Sequence, residues 1–161
     1  MKRLAVLSDS HDDLGAVRRA RRLLEARGVG TVIHCGDITS PGTVSELGGL
    51  DVHWVFGNCD LHRGGLAAAM EREGHTCHGT HGVLELEGVS LAFTHGDRPE
   101  LLRELLDSGD HRAVLHGHTH LRERSTPDGI LLLCPGALAH AEPPGFAILT
   151  LPGLRVEWVE V

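Results

Sequence analysis

Five short apolar runs in this 161-residue chain each stop at a glycine or turn residue flanked by Asp, Asn or His. Residues 4–7 give way to Ser8-Asp9-Ser10-His11, and Val32-Ile33 to His34-Cys35-Gly36-Asp37. Residues 52–56 end in Gly57-Asn58-Cys59-Asp60, residues 89–94 in His95-Gly96-Asp97, and Val114-Leu115 in His116-Gly117-His118-Thr119-His120. Runs this short and apolar, bounded by turn residues, read as buried strands. Between the first two, Leu14, Val17, Ala20 and Leu24 recur at helical spacing, with Asp12 or Asp13 as cap and Gly28 closing the helix. Strand, helix, strand in that order builds a parallel sheet. Ligands of open α/β sheets bind beyond the carboxyl ends of the strands, so the five polar ends can meet in one crevice.

Further along, residues 83–86 and 89–94 read as a hairpin turned at Glu87-Gly88. Residues 43–47 read as a short helix. Pro99 opens another helix, with Leu101, Leu102, Leu105 and Leu106 on one face and Gly109 beyond its end. Residues 130–134, 146–151 and 154–161 read as strands, the last two joined at Pro152-Gly153. No linker, repeat or low-complexity segment interrupts them. The expectation is one α/β domain over residues 1–161, parallel in its first half and hairpin-rich in its second.

A net charge of −7 argues against general nucleic-acid or membrane-surface binding. No apolar run approaches the roughly 20 residues that span a bilayer. The opening apolar run breaks at Ser8-Asp9 without a small-residue cleavage site, so it reads as a strand rather than a leader. Cys35, Cys59, Cys77 and Cys134 are scattered with no C-x-x-C, which fits a reducing cytoplasm, and Cys35 and Cys134 read as small buried hydrophobes. Arg18, Arg19, Arg21, Arg22 and Arg27 read as the solvated face of the first helix rather than a phosphate-binding patch.

Thirteen histidines with no tyrosine exceed what a core needs. In extended geometry His118 and His120 point the same way and can converge on one spot. His34 and His116, by the same alternation, point away. His75, Cys77, His78 and His81 lie in a polar, glycine-bearing stretch and read as an ordinary loop. The donor set Asp9, His11, Asp37, Asn58, His95, His118 and His120 offers oxygen and nitrogen without thiolate, suited to Mn²⁺, Fe or Zn²⁺, with Ni²⁺ and Co²⁺ as in vitro substitutes. Seven donors are too many for one ion with an open position but suit two ions sharing a carboxylate.

At these residues the chain resembles the calcineurin-like metallophosphoesterases, whose pattern is D-x-H, G-D, G-N-H-[DE], a histidine, then G-H-x-H. Here the motifs stand as Asp9-Ser10-His11, Gly36-Asp37, Gly57-Asn58-Cys59-Asp60, His95-Gly96 and Gly117-His118-Thr119-His120. The resemblance looks closest to the compact prokaryotic phosphodiesterase branch, which shares the Gly-Asn-Cys-Asp variant. It implies a four-layer α-β-β-α sandwich of two mixed sheets. It further implies that Asp9, His11 and His120 hold one divalent ion and Asn58, His95 and His118 a second, with Asp37 between them and Mn²⁺ as the first expectation. The implied reaction is hydrolysis of a small phosphodiester or nucleotide-type substrate by a hydroxide the two ions share, with Asn58 stabilising charge on the phosphoryl oxygens.

Cys59 is the departure, since most members carry there a histidine that assists the leaving group, while Asp60, which orients that ring, remains. A thiol is a weaker hydrogen bonder and no cation at neutral pH. That favours phosphodiesters, or substrates with acidic leaving groups, over alkyl phosphomonoesters. His62 is the nearest imidazole in sequence and is left out of the site. Cys134-Pro135-Gly136-Ala137 stands where the family often has Asn-Pro-Gly-Ser and lacks its polar atoms. The alternatives are a broad phosphomonoesterase, a non-enzymatic scaffold of the same fold and a nuclease subunit. Lost ligands would mark a scaffold, and extra domains with basic grooves a nuclease. With no cap domain, a second copy in a homo-oligomer could wall the substrate site.

Overall fold

The computed structural model describes residues 1–161. In chain order the elements are β1 (Lys2–Leu7), α1 (Leu14–Ala26), β2 (Thr31–His34), α2 (Pro41–Glu46), β3 (Asp51–Trp54), α3 (Arg63–Arg72), β4 (Thr76–Cys77) and β5 (His81–Leu86). There follow β6 (Val89–Thr94), α4 (Pro99–Asp107), β7 (Ala113–Leu115), β8 (Arg122–Ser125), β9 (Leu131–Pro135), β10 (Gly145–Leu151) and β11 (Arg155–Glu160). One sheet runs β11-β10-β1-β2-β3-β4 and the other β5-β6-β7-β9-β8.

β1 shows how the layers form. Its side chains alternate, and both sets are buried. Leu4 and Val6 meet Leu91, Phe93, Leu115 and Leu133 of the second sheet. Ala5 and Leu7 pack with Val17, Leu24, Leu66, Met70 and Trp54 under α1 and α3. On the far side, Leu105 of α4 packs on Ala92 and Val114. The result is the expected α-β-β-α sandwich of two mixed sheets. No helix is long and apolar enough to cross a membrane.

The second half holds both expected hairpins, β5–β6 and β10–β11, and adds a parallel core that the expectation lacked. β6, β7 and β9 are mutually parallel, with β5 and β8 antiparallel at the edges. The β10–β11 hairpin returns to the first sheet, where β10 runs antiparallel to β1. Apolar runs specify burial but not the partner strand.

Three elements lie outside the sequence expectation. α3 carries Gly64 and Gly65 in its first turn, which weakens its local signal, although Leu66, Ala69 and Met70 are buried. β8 is a charged edge strand, Arg-Glu-Arg-Ser, with no apolar alternation. β4 has only two residues. The loop expected at residues 75–81 is therefore partly strand. Its histidines do not gather on a common point: the Trp54 indole N–H donates to His75 Nδ1 at 3.1 Å, and His78 Nε2 meets His53 Nδ1 at 3.0 Å. The arginines of α1 hold its outer face, with Arg18 paired to Glu46 and Arg21 to Glu25, both at 2.7 Å.

Both cores close through side chains alone. Protein stripped by chelator is therefore expected to keep its far-ultraviolet circular dichroism and a cooperative thermal transition, with Mn²⁺ raising Tm by mass action. Collapse of the helical signal on chelation would show that bound ions, not the cores, hold the fold.

Candidate metal centre

The loops leaving the parallel strands are stitched to one another. Asp9 and His11 donate their N–H groups to the carbonyls of Gly36 and Asp37, each at 3.0 Å, and Gly117 donates to His95 O at 2.8 Å. The β9–β10 connection joins them, Leu138 N–H donating to Ser8 O at 3.1 Å and Ala139 N–H to Asp9 O at 3.0 Å.

At the turn positions φ is +54° at Asp9, +41° at His11, +57° at Asp37, +70° at His118 and +61° at His120. Left-handed backbone costs a non-glycine residue on the order of 1 kcal/mol or more and survives only where surroundings over-determine it. This corrects the extended geometry expected of the His-x-His pair. The two rings diverge: His120 faces His11, Nε2 to Nε2 at 3.3 Å, and His118 lies edge-on to His95 with centroids 5.1 Å apart.

One group of ligand atoms comprises Asp9, His11 and His120. Asp9 Oδ1 is buried without a hydrogen-bond partner, 3.2 Å from His120 Nε2 and 3.6 Å from His11 Nε2. His120 Nδ1–H donates to His140 O at 3.3 Å, leaving the Nε2 lone pair turned inward. A second group comprises Asp9, Asp37 and His95. His95 Nδ1–H donates to Cys35 O at 2.7 Å, so its Nε2 lone pair faces Asn58 Oδ1 at 3.0 Å and Asp37 Oδ2 at 3.3 Å. Asp37 Oδ2 also lies 3.5 Å from His11 Nε2, between the two groups. Acceptors that face one another need a cation between them, and this donor set fits divalent ions. His118 is exposed and not among these groups, but its ring adjoins that of His95 and its N–H donates to Asp9 Oδ2 at 2.9 Å, which keeps it beside the second group.

Asp37 is held in place from behind. Its Oδ1 accepts from Cys59 N–H at 2.9 Å. Burial works to raise its carboxyl pKa, but the His95 hydrogen bond, the Cys59 N–H and the nearby His95 and His11 charges outweigh it, holding Asp37 well below the usual carboxylate range. His95 answers in kind: burial works to lower its pKa, and the hydrogen bond that a proton on Nε2 makes to Asp37 prevails and raises it. Any side chain at Gly57 or Gly117 would overlap Asp37 or Ser8 respectively, so both positions require the close approach only glycine allows.

Asp60 has a different task from the one expected. Its Oδ2 accepts from Asp37 N–H at 2.9 Å and Gly57 N–H at 2.8 Å, and its Oδ1 from Ile38 and Thr39 N–H, both at 2.8 Å. The four acceptor positions of a carboxylate are thereby filled, and none remains to orient a ring at position 59. The Cys59 thiol is exposed and groups with His11 and Asp37. Partial desolvation of its sulfur and the neighbouring Asp37 carboxylate push its pKa up.

Two histidines outside the motif set adjoin the centre. His140 was not singled out by the sequence; its ring centroid lies 5.3 Å from that of His11 and 6.4 Å from that of His120, nearly parallel to the latter. His34 is buried behind the centre, as alternation predicts. Its Nδ1 accepts from Gly36 N–H at 3.2 Å, so Nε2–H donates to Ser10 Oγ at 3.1 Å, tying the first two loops together. His116 likewise turns away, its Nδ1–H donating to Gly117 O at 3.0 Å. His62 makes no side-chain capping bond at the head of α3.

A model of the calcineurin-like phosphoesterase superfamily domain matches residues 1–153. The chain belongs to that superfamily. It is 30% identical over 138 residues to a phosphodiesterase of Methanocaldococcus jannaschii, covering 83% of this chain and 82% of that one. It is 27% identical over 164 residues to a probable metallophosphoesterase of Methanothermobacter thermautotrophicus, covering 96% and 88%. The solved structure of an archaeal phosphodiesterase superposes with a TM-score of 0.91 at 25% identity over 99% of both chains. The shared fold accounts for the stitching of strand ends from both sheets of this phosphoesterase domain.

Burial lowers the His34 pKa to about 3. An unfolded histidine titrates near 6.5, so between those values the unfolded state binds the extra proton and stability falls as pH falls. Ion-free protein should lose up to about 1.4 kcal/mol per pH unit from this group across that window. Denaturant titrations from pH 7 to 4 should show the steeper acid slope in wild type and a shallower one in His34→Gln. Equal slopes would mean that His34 takes up its proton in the folded state.

Proposed function

We propose that this chain is a metal-dependent phosphodiesterase with a two-ion centre: Asp9, His11 and His120 around one ion, Asn58, His95 and His118 around the other, and Asp37 between them. The observation that carries this reading is Asp9 Oδ1, buried and unpartnered among imidazole nitrogens. When bound, the ions supply Lewis-acid polarisation of the phosphoryl group and lower the pKa of the attacking water. Mn²⁺ is the metal of this reading, compatible with a set of four imidazole nitrogens and three oxygen donors without thiolate.

The protein's own contribution is orientation. His95 and His120 are each fixed by a Nδ1–H bond to a backbone carbonyl, so neither ring must reorganise to present Nε2. The Asn58 amide N–H reaches only the Cys59 sulfur, at 3.6 Å, and is free to donate to a phosphoryl oxygen. Cys59, a thiol with raised pKa, supplies little acid assistance. General-acid help is typically worth about 10²–10⁴-fold, so its weakness favours leaving groups that depart as stable anions. Small phosphodiesters fit that condition better than alkyl phosphomonoesters. A chain of net charge −7 also discourages extended nucleic acid as substrate. Four free cysteines, two of them exposed, fit a reducing cytoplasm. A scaffold without catalysis would have no need for the aligned lone pairs of His95 and His120.

Mn²⁺-loaded protein should hydrolyse bis(4-nitrophenyl) phosphate at least about 10²-fold faster than an alkyl phosphomonoester. The reverse order would replace the phosphodiesterase reading with a phosphomonoesterase one. Asp37→Ala should abolish turnover and reduce bound metal, and Asn58→Ala should lower kcat more than metal content. Two full equivalents of metal in an active Asp37→Ala protein would refute the bridging role.

A further inference from the structure

We propose that His140 is a substrate-contact residue, its imidazole N–H donating a hydrogen bond to a non-bridging phosphoryl oxygen of an ester bound beside Asp9, His11 and His120. The inference rests on the phosphodiesterase reading above and adds to it a binding residue outside the family's motifs.

Four observations converge on this ring. It stands beside two members of one ligand group, 5.3 Å from the His11 ring and 6.4 Å from the His120 ring by centroid. It is not among the groups of converging ligand atoms, and it is exposed. A ring one layer outside the ligands can touch what the ions bind rather than the ions themselves. Its position is also built rather than incidental. Leu138 and Ala139 dock the preceding chain onto Ser8 and Asp9 by backbone hydrogen bonds, and the His140 carbonyl accepts from His120 Nδ1–H at 3.3 Å. His140 itself is held at φ +56°, the conformation shared by five candidate ligands and unfavourable for a non-glycine side chain. Strain of this kind in an exposed loop persists where the surroundings impose it and clusters at working sites.

The neighbouring chemistry leaves a place for such a donor. Cys59, in the position of the family's histidine, also groups with His11 and offers only a thiol. His62 makes no side-chain capping bond at the head of α3 and is not among the ligand groups. Among imidazoles that are not candidate ligands, His140 is the one packed against candidate-ligand rings and open to solvent. Neutral or charged, an imidazole carries an N–H, and a phosphate diester presents two anionic acceptors. A hydrogen bond to a charged acceptor is worth enough to change binding about tenfold.

The test uses the full-length, Mn²⁺-loaded protein and inorganic phosphate as the probe. Calorimetric titration should show phosphate binding about tenfold weaker in His140→Ala, with both equivalents of metal retained by elemental analysis. His140→Gln, which keeps an N–H donor, should recover most of that loss. kcat/KM for aryl phosphodiesters should fall by a similar factor in His140→Ala, whatever the leaving-group pKa. Unchanged phosphate affinity in His140→Ala would overturn the proposal. So would loss of metal, equal losses in both variants, or a loss that grows with leaving-group pKa. Wild-type protein that binds no metal or cleaves no diester would instead overturn the phosphodiesterase reading, a failure visible before any variant is made.

Discussion

The Asp60 carboxylate is the interaction on which the centre depends. It is buried, and its two oxygens collect four backbone N–H groups from two separate turns, those after β2 and after β3. Those of Asp37, Ile38 and Gly57 would otherwise be buried donors without partners, at about 1–3 kcal/mol each. A charged acceptor makes each bond stronger than a neutral one would. The consequence reaches Asp37 directly. With its own N–H held by Asp60 and its Oδ1 held by Cys59 N–H, the Asp37 side chain has one oxygen left, and that oxygen lies between His11 and His95. The acid after the Asn-Cys pair therefore acts through backbone architecture, not through a ring at position 59.

Left-handed turns at Asp9, His11, Asp37, His118 and His120 would relax if their flanks could move. They cannot, because β1 is buried on both faces between two cores and β2 beside it is buried throughout. Close packing converts that burial into positional accuracy at the strand ends. His34 extends the same logic to a polar group. It is neutral when buried, and it spans from Gly36 to Ser10, so the first two loops move together or not at all.

The sequence made the strand ends legible because each joins a short apolar run to a glycine and a ligand-type side chain, as at Val32-Ile33 before Gly36-Asp37. It also gave the four layers, through the resemblance those ends carry. What it hid has physical reasons. α3 opens on Gly64-Gly65, β8 alternates nothing apolar, and the parallel pairing of β7 with β9 is a long-range choice that periodicity does not encode. His118 and His120 look convergent by spacing, yet positive φ at both sends the rings to different neighbours. His140 belongs to no motif. It reaches the centre through backbone bonds from Leu138 and Ala139 to the loop after β1, residues about 130 positions away along the chain.

The same geometry links protons to ions. In the ion-free protein His95 resists losing its proton because Asp37 faces it, and Asp37 resists gaining one because His95 and His11 face it. A proton on His95 Nε2 occupies the position between nitrogen and the Asp37 and Asn58 oxygens that an ion would take. Ion binding must therefore release that proton, and acid must oppose ion binding even while Asp37 stays ionised. Asp9 Oδ1 is likewise buried without a hydrogen-bond partner, 3.2 Å from His120 Nε2, and a cation between the two atoms would satisfy both.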